Sequence, residues 1–129
     1  MKNTPWIPPD LRSVLIKRII PNLQAMTIKD AQILVDDWIK NIGNGYFSPV
    51  TNVAVLAEEV GELAHVVVRR YGQQRPKQGD AVSKKDVASE LADVLWVILA
   101  LANQTGVDLS EALRLSHEKK SRRDAIRFR

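Results

Sequence analysis

From Ser83 to Thr105 the chain runs for 23 residues without a glycine or a proline, and no other stretch constrains the fold as tightly. Its middle, Val94-Leu95-Trp96-Val97-Ile98-Leu99, has the composition of a buried strand. Strands, however, end after roughly 4–8 residues, and an unbroken run of this length is absorbed only by a helix. Ser83 supplies an N-cap with Asp86 three residues on, and Gly106 marks the end. The segment is apolar nearly all round, the mark of a central, buried helix.

Three further segments carry helix signals. Thr27 caps the first, with Asp30 at the third helical position, and the pattern runs to about Ile42 before Gly43-Asn44-Gly45 breaks it. Ser48 followed by Pro49 opens a second helix that continues to about Arg70. Tyr71 to Val82, with Gly72, Pro76 and Gly79, reads as a polar loop, and Asp108 with Glu111 forms a capping box for the last helix. Helices of this length joined by short turns specify an all-α four-helix bundle over residues 27–129. Residues 1–26, with prolines at 5, 8, 9 and 21, form an N-terminal arm with one short helix between Leu11 and Ile20. A short helix cannot hide Leu11, Val14, Leu15, Ile19 and Ile20 by itself, so the arm is expected to help form a homodimer or a dimer of dimers.

Composition removes several classes. The chain has no Cys, which excludes disulfides, thiolate metal sites and cysteine nucleophiles, and only His65 and His117 offer imidazole. The longest apolar run, Val94 to Ala102, is far short of the roughly 20 residues of a membrane span. The opening residues lack the apolar stretch of a signal peptide, so a cytoplasmic, soluble protein is expected. The net charge of +4 is not spread evenly: Arg114 to Arg129 holds seven basic residues against two acids, which leaves the rest of the chain at −1. A local cluster of this kind suits an anionic partner such as a phosphate group.

The chemistry lies in carboxylates inside the two longest helices. At 100° per residue Glu58, Glu59 and Glu62 share about 100° of arc, beside the apolar positions Leu56, Val60 and Leu63. On the next helix Glu90 and Asp93 stand at i and i+3. Acids that face a bundle interior repel one another unless something compensates them. A divalent cation does so, and an oxygen-only donor set without Cys or His describes a hard-cation site for Mg²⁺ or Mn²⁺. Without a cation, the same acids would be solvated faces paired with Lys and Arg. Gly61, inside this helix, allows either a close ligand or tight helix packing.

Glu58-Glu59-x-x-Glu62, a 27-residue gap and Glu90-x-x-Asp93 resemble the signature of the all-α MazG-like nucleoside triphosphate pyrophosphohydrolases. Gly45-Tyr46-Phe47-Ser48-Pro49, Leu101-Ala102-Asn103 and the ending Lys119-x-x-x-Arg123-Asp124-x-x-Arg127-Phe128 extend the resemblance over roughly residues 27 to 128. The resemblance implies hydrolysis of a nucleoside triphosphate between the α and β phosphates to give a monophosphate and pyrophosphate, in nucleotide-pool house-cleaning. By the match, Glu59, Glu62, Glu90 and Asp93 hold Mg²⁺ and Glu58 completes the site. Either Glu58 or Glu59 activates water, while Lys119, Lys120, Arg123 and Arg127 grip phosphate oxygens. Trp38, Tyr46 and Phe47 are the aromatic candidates for a base pocket.

Two rival readings are weaker. Glu62-Leu63-Ala64-His65 is half of a di-iron pattern, but no His follows Glu90 to supply the second copy. A helical module that binds nucleic acid through the basic tail has phosphate contacts to offer. It lacks interleaved aromatics apart from Phe128 and leaves the interior acids unexplained.

Overall fold

A computed structural model of the chain describes residues 17, 18, 20, 22–74 and 84–127. A short 3₁₀ turn at Leu23–Ala25 precedes four helices: α1 (Ile28–Asn41), α2 (Pro49–Tyr71), α3 (Lys84–Gln104) and α4 (Leu109–Arg127). No strand occurs among the described residues. The short helix expected between Leu11 and Ile20 falls largely outside the described residues, as do most of the loop after Tyr71 and the Ser83 cap. Lys17 and Arg18 are helical, and Ile20 is buried.

The helix starts follow local chemistry. Thr27 and Asp30 form the full capping box, Thr27 Oγ1 accepting from the Asp30 N–H at 3.1 Å and Asp30 accepting from the Thr27 N–H at 2.9 Å. Ser48 Oγ accepts from the Thr51 N–H, with Pro49 at the first helical position, where its missing donor costs nothing. Asp108 caps α4 by accepting from Ser110 and Glu111, but the reciprocal half of the expected box is replaced. Arg114 takes both oxygens of Glu111, because a charged bidentate partner competes better than a single amide.

The chain divides into two compact units, Met1–Tyr46 with Ala102–Arg129 and Phe47–Leu101. In the first, α1 packs on α4 and buries Val35 and Ile39. Gln32 fastens α1 to the turn before α4. Its side-chain amide donates to Asn103 Oδ1 (3.1 Å) and the Val107 carbonyl (2.9 Å), and its oxygen accepts from the Leu109 N–H (3.0 Å). Asn103 returns a bond to the Gln32 carbonyl at 2.8 Å. α1 ends where Ile42 and Gly43 both donate to the Trp38 carbonyl, and Asn44 and Gly45 turn the chain through positive φ. The Trp38 ring lies so close over Gly43 that a Cβ there would sit 2.6 Å away.

In the second unit α2 buries Asn52 and Val66, and α3 buries Val97, Leu99 and Ala100. Burial of α3 all round is not what the structure shows. Leu91 and Leu95 are 52% and 51% exposed, because its apolar girth is wider than the described residues cover. Among the described residues, no helix is long and apolar enough to cross a membrane.

Candidate functional site

Glu59 on α2 and Glu90 and Asp93 on α3 bring carboxylate oxygens within 4.8 Å of one another. The i, i+3 spacing puts both α3 acids on one helix face. Glu59 and Glu90 are half-buried, and Asp93 is exposed. Burial pushes the Glu59 carboxyl above its ordinary range, and the charges of Asp93, Glu90, Glu58 and Glu62 push it further. Four acids thus act on one half-buried carboxylate, and a cation relieves all of these repulsions together. The donors are all oxygen and fit a hard divalent ion. Glu58 and Glu62 have exposed side chains and lie outside the group of three, although their charge reaches Glu59.

Around this cluster the structure settles two smaller points. A Cβ on Gly61 would meet nothing within 4 Å, so no helix among the described residues packs tightly against the glycine. His65 is exposed, and its backbone carbonyl accepts from Arg69 at 3.2 Å.

The basic residues of α4 are exposed but not equally available. Arg114 is held between Glu111 and Glu118, and Arg122 lies 3.6 Å from Glu118. Arg123 donates through Nε and Nη2 to the two oxygens of Asp124, at 2.7 and 2.9 Å. That pairing holds the Asp124 carboxyl below its usual range, with the charge of Lys120 adding to it. These intrahelical pairs break up the row of free cations that a nucleic-acid surface needs. Lys119, Lys120 and Arg127 are also on the exposed surface of this helix.

Of the aromatic candidates, Tyr46 is the most constrained. Its hydroxyl donates to Asp36 at 2.6 Å, and Lys40 pairs with the same carboxylate at 2.8 Å. Burial and the Asp36 hydrogen bond push the Tyr46 phenol up to about 12. The bonds from Lys40 and Tyr46 overcome the opposing effect of burial and hold Asp36 low. Trp38 covers Gly43, and Phe47 is 65% exposed.

The sequence reading missed the Gln32–Asn103 clasp and the Tyr46–Asp36 bond. A signal for the clasp was present: Gln32 interrupts the apolar stripe Ile28, Val35 and Ile39 at helical spacing. An open cleft beside the clasp is lined by Lys29, Gln32, Asp36, Lys40, Asn103 and Asp108. Gln32 and Asn103 bond to each other, Asp36 serves Tyr46 and Lys40, and Asp108 caps α4. Most polar groups of the cleft are thus engaged within the fold.

Residues 47–128 match the MazG nucleotide pyrophosphohydrolase domain family. The chain is 41% identical over 102 residues to the uncharacterized protein YpjD of Bacillus subtilis (strain 168), covering 79% of this chain and 90% of that one. It is 32% identical over 103 residues to the uncharacterized protein YvdC of the same strain, covering 76% and 96%. Among solved structures it is similar to the Bacillus-conserved MazG protein, a nucleotide pyrophosphohydrolase, with TM-score 0.63, 37% identity and coverage of 75% of this chain and 92% of that one. A structure of YPJD from Bacillus subtilis gives TM-score 0.64 at 41% identity, over 74% and 97% of the two chains. The all-α expectation therefore holds, in its elements and in its neighbours.

Proposed function

This chain belongs to the MazG nucleotide pyrophosphohydrolase family, and from that premise we propose that it hydrolyses a nucleoside triphosphate between the α and β phosphates. Water attacks the α phosphorus, the bond from that phosphorus to the bridging oxygen breaks, and pyrophosphate leaves the monophosphate behind. The observation that carries this reading is the convergence of Glu59, Glu90 and Asp93. Phosphoryl transfer asks little covalent work of a protein and much charge neutralisation and alignment.

A Mg²⁺ ion, with Mn²⁺ as a substitute, supplies that neutralisation when bound. Glu59, Glu90 and Asp93 hold it, with Glu62 as a further ligand and Glu58 completing the set. Either Glu58 or Glu59 orients the attacking water and takes its proton. Lys119, Lys120, Arg123 and Arg127 bind phosphate oxygens, where an arginine offers a planar fork. Trp38, Tyr46 and Phe47 are the residues proposed for the base. The reaction suits house-cleaning of a cytoplasmic nucleotide pool. The exposed Leu91 and Leu95 support assembly as a homodimer or a dimer of dimers, which light scattering at micromolar concentration tests.

A panel of nucleoside triphosphates assayed for pyrophosphate, with Mg²⁺ and with EDTA, tests the function. Release of pyrophosphate and monophosphate only with the metal is expected. Orthophosphate and a diphosphate as products would overturn the reading.

A further inference from the structure

Asp124 is the only acid between Lys119 and Arg127, a stretch with five basic residues. Its two oxygens take the Nε and Nη2 hydrogens of Arg123, which is the side edge of the guanidinium. The end edge, with Nη1–H and the second Nη2–H, has no bond among the described residues, and it has the spacing that two phosphate oxygens accept. Arg123 is 61% exposed by side chain and would otherwise sample many rotamers, whereas Asp124 is 30% exposed and better held. Lys120, one turn earlier on the helix, acts on the same carboxylate.

Resting on the reading that Arg123 binds phosphate, we propose that Asp124 is a positioning residue: it locks Arg123 by its side edge and presents the end edge to the pyrophosphate part of the substrate. The gain is preorganisation. An arginine already fixed in its binding rotamer loses less conformational entropy when the anion arrives.

The sign of the effect separates this role from plain electrostatics. Removing a negative charge beside a phosphate site should strengthen anion binding by Coulomb's law alone, whereas loss of a positioning contact should weaken it. The test is calorimetric titration of the full chain with inorganic pyrophosphate in Mg²⁺, comparing wild type, Asp124→Ala, Arg123→Ala and the double variant. Asp124→Ala is expected to weaken binding about two- to tenfold, the range for immobilising one flexible side chain, at an unchanged melting temperature. In the Arg123→Ala background the same substitution is expected to weaken nothing, leaving only the slight gain that removing a negative charge brings. Tighter or unaltered binding by Asp124→Ala, or a loss that persists without Arg123, overturns the proposal. If Arg123→Ala itself binds as wild type does, the phosphate-binding reading of Arg123 fails instead.

Discussion

Replacing Gln32 with alanine removes three side-chain hydrogen bonds, to Asn103 at 3.1 Å, Val107 at 2.9 Å and Leu109 at 3.0 Å. A neutral hydrogen bond contributes about 1 kcal/mol net, and a partner left dry costs more. Asn103 and Leu109 are half-buried while Val107 is exposed, so water replaces part of what is lost. The sum is about 2–3 kcal/mol, or roughly 8–12 °C in melting temperature for a chain of this size. Far-UV circular dichroism during a thermal ramp measures it. Gln32→Glu should be no better, since a carboxylate accepts from Leu109 but cannot donate to Asn103 or Val107. A melting temperature for Gln32→Ala within about 2 °C of wild type would refute the claim that this clasp holds α1 to the turn before α4.

Three other outcomes follow from the site. Because the Glu59 carboxyl is raised on folding, the folded state binds its proton more strongly than the unfolded state does. Stability from this group is therefore greatest below its ordinary range and falls as pH rises through the raised value. Glu59→Gln should remove that slope in melting curves recorded in EDTA, and an unchanged slope would contradict it. Glu62→Ala or Asp93→Ala should abolish turnover while the melting temperature in EDTA stays level or rises, since like charges are thinned; a large drop would make these acids structural. Lys119→Ala and Arg123→Ala should each lower kcat/KM roughly 100- to 1000-fold, the usual cost of losing one donor to developing charge, with Arg123→Lys a partial rescue. Values within about threefold of wild type, less than one tenfold step of 1.36 kcal/mol, would take α4 out of the chemistry.

The local fold was legible because its punctuation is chemical. Thr27 with Asp30, Ser48 with Pro49, and Gly43-Asn44-Gly45 each place a boundary within a residue or two of the observed one. The acids Glu59, Glu90 and Asp93 were legible through helical spacing, which needs no tertiary information. What spacing cannot show is which of several acids on one arc converge: Glu58 and Glu62 share the arc of Glu59, yet the group of three does not include them. The pairing of Arg123 with Asp124 was hidden for a related reason. Neighbours in sequence lie on different parts of a helix surface, and only the length of the arginine side chain lets them meet. Tyr46 was read for its ring, whereas its hydroxyl found Asp36 ten residues earlier, a long-range choice that no local pattern encodes.

The proposed reaction is attack of water at the α phosphorus, at a metal site built on Glu59, Glu90 and Asp93. Hydrolysis of a nucleoside triphosphate in water enriched in heavy oxygen, followed by mass spectrometry of the products, tests it most directly. One heavy oxygen is expected in the monophosphate, none in the pyrophosphate, and no labelled product from Glu59→Gln. Heavy oxygen in the pyrophosphate, or in released orthophosphate, would contradict it.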